Sequence, residues 1–148
     1  MIKIRGEKGF VTIEDWSDVL DRPQFIGELD PTEKKLADVI GCYIFPDAIR
    51  YGLSNCHTPH RRGFLVVTED GLETNIGINC GETHFGVDFK TMSRNMSYEV
   101  TRQQRRDTIF DYQFQASEIL DRIKELRERS RGADWTHRKL VELKSRTG

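Results

Sequence analysis

The sequence has few cysteines and no long apolar run. Its 148 residues include three cysteines, Cys42, Cys56 and Cys80, and an odd number of cysteines argues against a disulfide framework. No stretch of 18 apolar residues occurs, which argues against a transmembrane helix, and the first residues lack the apolar stretch of a signal peptide. A cytoplasmic protein with no membrane partner is therefore expected.

Phosphate-binding loops and strong net charge are also missing. No G-x-G-x-x-G or P-loop pattern appears, and the formal net charge is only −1. Apolar residues make up 36% and charged residues 32% of the chain, which is lean for a core but too apolar for a disordered chain. We expect a folded chain whose extended helical parts bury little surface.

Residues 1–50 are predicted to form a mixed α/β segment that packs on the core. Ile2 to Arg5 alternates apolar and charged residues as a short strand does, and Phe10 to Ile13 is expected to pair back on it as a second strand. A short helix is expected from Glu14 to Leu20. Asp30-Pro31-Thr32-Glu33 has the cap and the proline of a helix start. That pattern predicts a helix that ends at Gly41.

Leu36, Val39 and Ile40 would lie on one face of this predicted helix. Cys42 to Phe45 then reads as a buried strand or connector. Further along, Phe64 to Thr68 and Glu73 to Ile78 predict a β-hairpin, because Asp70-Gly71 between them is a strong turn signal.

Two Cys-His pairs with equal spacing flank this hairpin. Cys56 and His60 are four residues apart, as are Cys80 and His84. Zinc prefers four ligands in a tetrahedron, and two thiolates with two imidazoles satisfy that preference. A metal would also add folding free energy to a module with low apolar content. The pattern predicts Zn²⁺ bound by Cys56, His60, Cys80 and His84, with His57 or Cys42 as alternative ligands.

The arrangement resembles a treble-clef zinc finger over residues 51–90. Gly52 to His60 would be the knuckle with two ligands, and Ile76 to Gly86 would lead into a helix with the other two. The usual C-x2-C knuckle is absent, which leaves the first pair open. The resemblance implies a fold element and no particular activity.

Catalysis is an alternative reading of the same segment. Some nucleases are built on treble clefs, and His57, Asn75 and Glu82 are the polar residues that could serve in a zinc-dependent nuclease or hydrolase. The His-Asn-His order of such nucleases is not found here. We therefore expect a protein that is not an enzyme.

The C-terminal residues 97–148 are predicted to form a helical arm. Apolar or small residues follow a 3-4 spacing that is typical of a coiled-coil seam, at Ile109, Tyr112, Ala116, Ile119, Ile123 and Leu126. Gly132 interrupts the pattern, and Trp135, Leu140 and Leu143 suggest a second, shorter helix. The arm is expected to be a helical hairpin, or a coiled coil that forms a homodimer.

Acidic residues are in excess over residues 1–90 and basic residues over 91–148. A nucleic-acid-binding zinc protein is the main alternative function, with phosphate contacts from Arg61, Arg62, Arg102, Arg105 and Arg106.

Taken together, the sequence predicts an α+β chain, in which residues 51–96 are a small zinc-stabilised β-hairpin module between the N-terminal mixed segment and the C-terminal helical arm. Its expected function is a non-catalytic, zinc-binding interaction module for a protein partner, as an inhibitor or adaptor.

Overall fold

The computed structural model describes residues 1–50, 52–56 and 58–146, and it combines an antiparallel sheet with a long helix, as expected for an α+β chain. Within these residues the elements are, in chain order, β1 (Ile2–Gly6), β2 (Gly9–Ile13), α1 (Ser17–Leu20), β3 (Leu36–Ile49), β4 (His60–Thr68), β5 (Glu73–Ile76), α2 (Ile78–Glu128) and α3 (Ala133–Arg146).

The strands form one sheet in the order β2-β1-β3-β4-β5, and all neighbouring strands are antiparallel. Both predicted hairpins are confirmed, because β1 pairs with β2 and β4 pairs with β5. In the second hairpin Gly71 has φ of 85°, a conformation that glycine adopts without strain. The predicted short helix before residue 21 is also present, as α1.

The predicted helix over residues 30–41 is wrong, because β3 begins at Leu36. Val39 and Ile40 lie in different hydrophobic clusters, since successive strand residues point to opposite faces of the sheet. A strand that is covered on both faces has apolar residues at adjacent positions, which also satisfy a helical spacing. The Asp30 carboxylate accepts hydrogen bonds from the Thr32 amide and hydroxyl in a turn.

The core consists of two clusters on opposite faces of the sheet. The larger joins the sheet to α2, and its buried members are Leu29, Val39, Leu53, Phe64, Val66, Ile76, Phe89, Met96 and Val100. The smaller joins the sheet to α1, and its buried members are Ile2, Ile4, Val19, Tyr43 and Leu65.

The outer edge of β5 is covered by the chain between α1 and β3. The Ile26 amide donates to the Glu73 carbonyl and the Glu73 amide donates to the Gln24 carbonyl, each at 2.8 Å. The Arg22 guanidinium also forms an ion pair with the Glu73 carboxylate. At the opposite edge of the sheet, the Phe10 amide of β2 donates to Oε1 of Gln103 at 3.0 Å.

Helix α2 starts well before residue 97, where the regular heptad spacing predicted the helical region to begin. Gly86 interrupts it with φ of 58° and ψ of −136°, so a short helix over residues 78–85 precedes the long one. Gly81 and Gly86 weaken the helical pattern in this stretch, which explains the late prediction.

The chain divides into two units, Met1–Gln104 and Arg105–Gly148. The described part of the second unit consists of the end of α2 and of α3, which confirms the predicted short helix after Gly132. All the predicted seam residues of this unit are exposed. No helix in the described residues is both long enough and apolar enough to cross a membrane.

Candidate metal centre

Cys56 ends a tight turn that is held against the sheet. Leu53 and Cys56 form an isolated antiparallel bridge, and the Leu29 amide donates to the Gly52 carbonyl at 2.8 Å. The Gly52 amide in turn donates to the Asn75 carbonyl of β5 at 3.0 Å. The turn that carries Cys56 is thus fixed beside the strand that leads to Cys80.

Gly52 is required by this close approach. A Cβ atom at that position would overlap the Thr74 hydroxyl, which itself donates to the Gly52 carbonyl at 2.9 Å. Any larger residue would therefore push the turn away from β5.

Cys80 lies in the first turn of α2. The next residue, Gly81, is buried, and a Cβ atom there would overlap the ring of Phe89. The Phe89 ring packs edge-on against Phe64, with ring centroids 5.8 Å apart. This packing sets the short helix over residues 78–85 against the larger hydrophobic cluster and so fixes the position of Cys80.

The two cysteines meet. Their Sγ atoms are 2.7 Å apart, and both side chains are half-buried against the larger cluster. Burial, and secondarily the neighbouring Cys56 thiol, raises the pKa of Cys80 to about 11. The Cys80 thiol is therefore protonated at neutral pH unless a cation or another reaction partner favours the thiolate.

His60 begins β4, and its Nε2 atom is buried. Alternation along the strand gives it the same face as Phe64 and Val66, which belong to the larger cluster that Cys56 and Cys80 also contact. Burial lowers the pKa of His60, against an opposing hydrogen bond with the Pro59 backbone. The imidazole is thus neutral at pH 7, the form that binds metal.

His84 is half-buried one helical turn after Cys80. It lies close enough to Asp30 to contribute to the lowered pKa of that carboxyl, although the hydrogen bonds from Thr32 have the larger effect. Asp30 directly follows Leu29, which forms a bridge with Leu53 in the cysteine-bearing turn. His84 therefore faces the same region of the first unit as the turn.

Among residues 1–50, 52–56 and 58–146, no group of three or more His, Cys, Asp or Glu side chains is close enough to hold a metal ion. The structure thus places Cys56 and Cys80 in contact, but His60 and His84 do not join them in one cluster of metal-binding side chains. Of the alternative ligands, Cys42 is half-buried in β3, where it is paired with Phe64, and His57 lies outside the described residues.

Of the residues of the catalytic alternative, Asn75 and Glu82 have partners in the structure, and His57 lies outside the described residues. The buried Asn75 side chain donates to the Tyr43 hydroxyl at 3.2 Å and to the Arg50 carbonyl at 2.9 Å. Glu82 is exposed and lies 4.0 Å from the Lys90 ammonium group. These contacts give Asn75 a role in the fold, whereas the exposed Glu82–Lys90 pair adds little to stability.

The basic residues of the nucleic-acid alternative are all exposed. Arg61 and Arg62 are adjacent in β4, so they point to opposite faces of the sheet. Arg102 belongs to the first unit, whereas Arg105 and Arg106 belong to the second.

Sequence reasoning named Gly81 as a glycine beside the second Cys-His pair, but it missed the role of Gly52 in letting the cysteines meet. The available signal for Gly52 was its position four residues before Cys56. Glycine beside a candidate ligand indicates close backbone approach.

Comparison with protein-family models, with curated proteins and with solved structures finds no match to this chain.

Proposed function

We propose that this chain is a non-catalytic, zinc-binding interaction module whose second unit binds a protein partner. In this proposal Zn²⁺ is held by Cys56, His60, Cys80 and His84 in the first unit and stabilises the turn, the β4-β5 hairpin and the start of α2. The order of these three elements is the order that the treble-clef resemblance implies.

The approach of the two sulfur atoms supports the metal site. Two thiolates bound to one zinc ion at about 2.3 Å in a tetrahedron are about 3.8 Å apart, so the Cys56 and Cys80 sulfur atoms would separate by roughly 1 Å on binding. His60 and His84 each lie four residues from a cysteine of the pair in sequence. His60 faces the larger hydrophobic cluster, and His84 faces the region of the turn that carries Cys56. Closure of the site requires this small separation of the sulfur atoms and rotation of the two imidazole side chains toward them.

Metal content of the purified, reduced protein tests the zinc proposal. We expect one zinc per chain by elemental analysis, with Cys56 and Cys80 protected from a thiol reagent until a chelator is added. Cys80→Ala should lose the metal and the stability that the metal adds around residues 52–90. Cys42→Ala is the matched control and should keep the metal, because Cys42 is not one of the four proposed ligands and lies within β3, where it is paired with Lys3 and Phe64. Metal-free protein with freely reactive Cys56 and Cys80 would overturn the proposal.

The interaction role is supported by one observation about the second unit. Twelve large apolar side chains of this unit are exposed: Ile109, Phe110, Tyr112, Phe114, Ile119, Leu120, Ile123, Leu126, Trp135, Leu140, Val141 and Leu143. Together they expose on the order of 1,000 Å² of side-chain surface, and exposed apolar surface in such excess is typical of a region that binds another molecule.

The partner that fits this surface is a second copy of the chain. A 3-4 apolar spacing along a straight helix forms a seam that packs against an identical seam. Sedimentation velocity over a range of concentrations should show a dimer. A monomer at all concentrations would exclude the second copy and leave a different protein, or nucleic acid, as the partner.

A further inference from the structure

The Cys56–Cys80 pair has a second chemistry that does not need a metal. Its sulfur atoms are 2.7 Å apart, which is shorter than the separation in a zinc site and only about 0.7 Å longer than a disulfide bond. Both side chains are half-buried rather than enclosed, so a small reagent in solution can reach them.

The backbone around the pair favours a bond between these two residues over bonds to other thiols. Cys56 is fixed through the Leu53 bridge and the Gly52 hydrogen bond to β5. Cys80 is fixed through the packing of Gly81 on Phe89. Because both anchors belong to the folded first unit, each thiol is held at a high effective concentration next to the other.

We propose that Cys56 and Cys80 are a site of reversible thiol–disulfide exchange with a low-molecular-weight disulfide such as glutathione disulfide. One protein thiol, as its thiolate, attacks the disulfide and releases one glutathione thiolate, giving a mixed disulfide on the protein. The second protein thiol then attacks the mixed disulfide, loses its proton and releases the second glutathione. The protein pair is oxidised by two electrons and one glutathione disulfide is reduced to two thiols.

The exchange also regulates the proposed metal site, a part of the inference that depends on the proposed function. Each sulfur atom can bind either zinc or the other sulfur atom. Formation of the disulfide removes two of the four proposed ligands and should release the ion. Reduction of the disulfide restores both thiols and the capacity to bind metal.

The experiment uses the full chain, first freed of metal with a chelator and then incubated with glutathione disulfide at increasing ratios to glutathione. We expect the intact mass to fall by the mass of two hydrogen atoms, and a non-reducing peptide map to link Cys56 to Cys80. Cys42→Ser should form the same link. Cys56→Ser and Cys80→Ser should lose it and instead gain the mass of one glutathione. Accumulation of glutathione on both cysteines of the wild-type chain, or no reaction under conditions that oxidise a model dithiol, would overturn the proposal.

A parallel sample loaded with zinc separates this inference from the proposed function. Release of zinc in step with the Cys56–Cys80 link supports the regulatory part. A link that forms in a chain that never binds zinc supports the exchange site and overturns the metal site. Zinc that binds and stays bound while the link forms overturns the regulatory part alone.

Discussion

Single residues in this chain are constrained by backbone geometry as much as by side-chain chemistry. Gly52, Gly81 and Gly86 each permit a close approach or a conformation that an L-residue avoids. The clearest case is Gly86, whose φ of 58° and ψ of −136° separate the short helix with Cys80 from the long helix. A Cβ atom at Gly86 would meet no other atom within 4 Å, so only the backbone conformation opposes a larger residue.

Gly86→Ala should therefore destabilise the first unit by about 1–3 kcal/mol, the usual cost of holding a non-glycine residue in such a conformation. Chemical denaturation monitored by circular dichroism measures this loss. Gly27→Ala is the matched control, because its added Cβ atom also meets nothing within 4 Å and Gly27 has no positive φ. If the two substitutions lowered the free energy of unfolding equally, alanine at position 86 would adopt this backbone conformation without extra cost, and the prediction would be wrong.

The candidate site was predictable from the sequence to the extent that local spacing determines geometry. The two cysteines could be paired because a recognisable hairpin separates them, and a hairpin brings its flanks together. The positions of His60 and His84 depend on side-chain torsions and on the packing of α2, which spacing does not report. The four-ligand set therefore stays a prediction, whereas the Cys56–Cys80 contact is present in the structure.

At the scale of elements, the short N-terminal strands and the interrupted C-terminal helices were predictable, but of β3 only Cys42 to Phe45 was expected as a strand or connector. The run from Leu36 to Ile40 fits a helix by period and a doubly covered strand by composition, and only its pairing with β4 decides between them. The information that fixes β3 is thus in distant parts of the chain. The C-terminal part of α2 differs from β3, because the spacing of its apolar residues alone predicts both the helix and its seam.

Ile119→Asp should convert the proposed dimer into a monomer. Ile119 lies on the seam and is 59% exposed in the single chain, so the substitution should leave each chain folded. Burying a carboxylate in the seam without a partner should cost at least roughly 3 kcal/mol, which weakens association more than a hundredfold. Sedimentation velocity would detect the change.

Phe114→Asp provides the control for that experiment. Phe114 is as exposed as the seam residues, at 65%, but it lies off the 3-4 seam. The variant should remain dimeric. Equal dissociation by both substitutions would mean that the dimer, if formed, does not use the seam.

At the scale of the whole molecule, the two units differ in how they are stabilised. The first contains both hydrophobic clusters, whereas among residues 105–146 only Gly132 is buried. Helices without a buried face are marginal in water. We therefore expect the second unit to depend on association in a way that the first does not.

Hydrogen exchange should reveal this difference. Amides of β4, which is paired on both sides, should exchange most slowly, and amides of residues 105–146 should be the least protected helical amides. In Ile119→Asp, protection should fall further over residues 105–146 and stay unchanged in β4. If the amides of the second unit were as protected as those of β4 in this variant, the second unit would not depend on a partner.

The edges of the sheet limit how copies of this chain can assemble through their backbones. At β5 the outward-facing amide and carbonyl of Glu73 are already hydrogen-bonded to the Gln24–Ile26 segment. A strand from another copy therefore cannot pair with these backbone groups. At β2 an added strand would have to displace Gln103 from the Phe10 amide. Fibre growth needs two open edges on every copy. Strand addition in this protein would therefore stop at a closed pair instead of extending into a fibre.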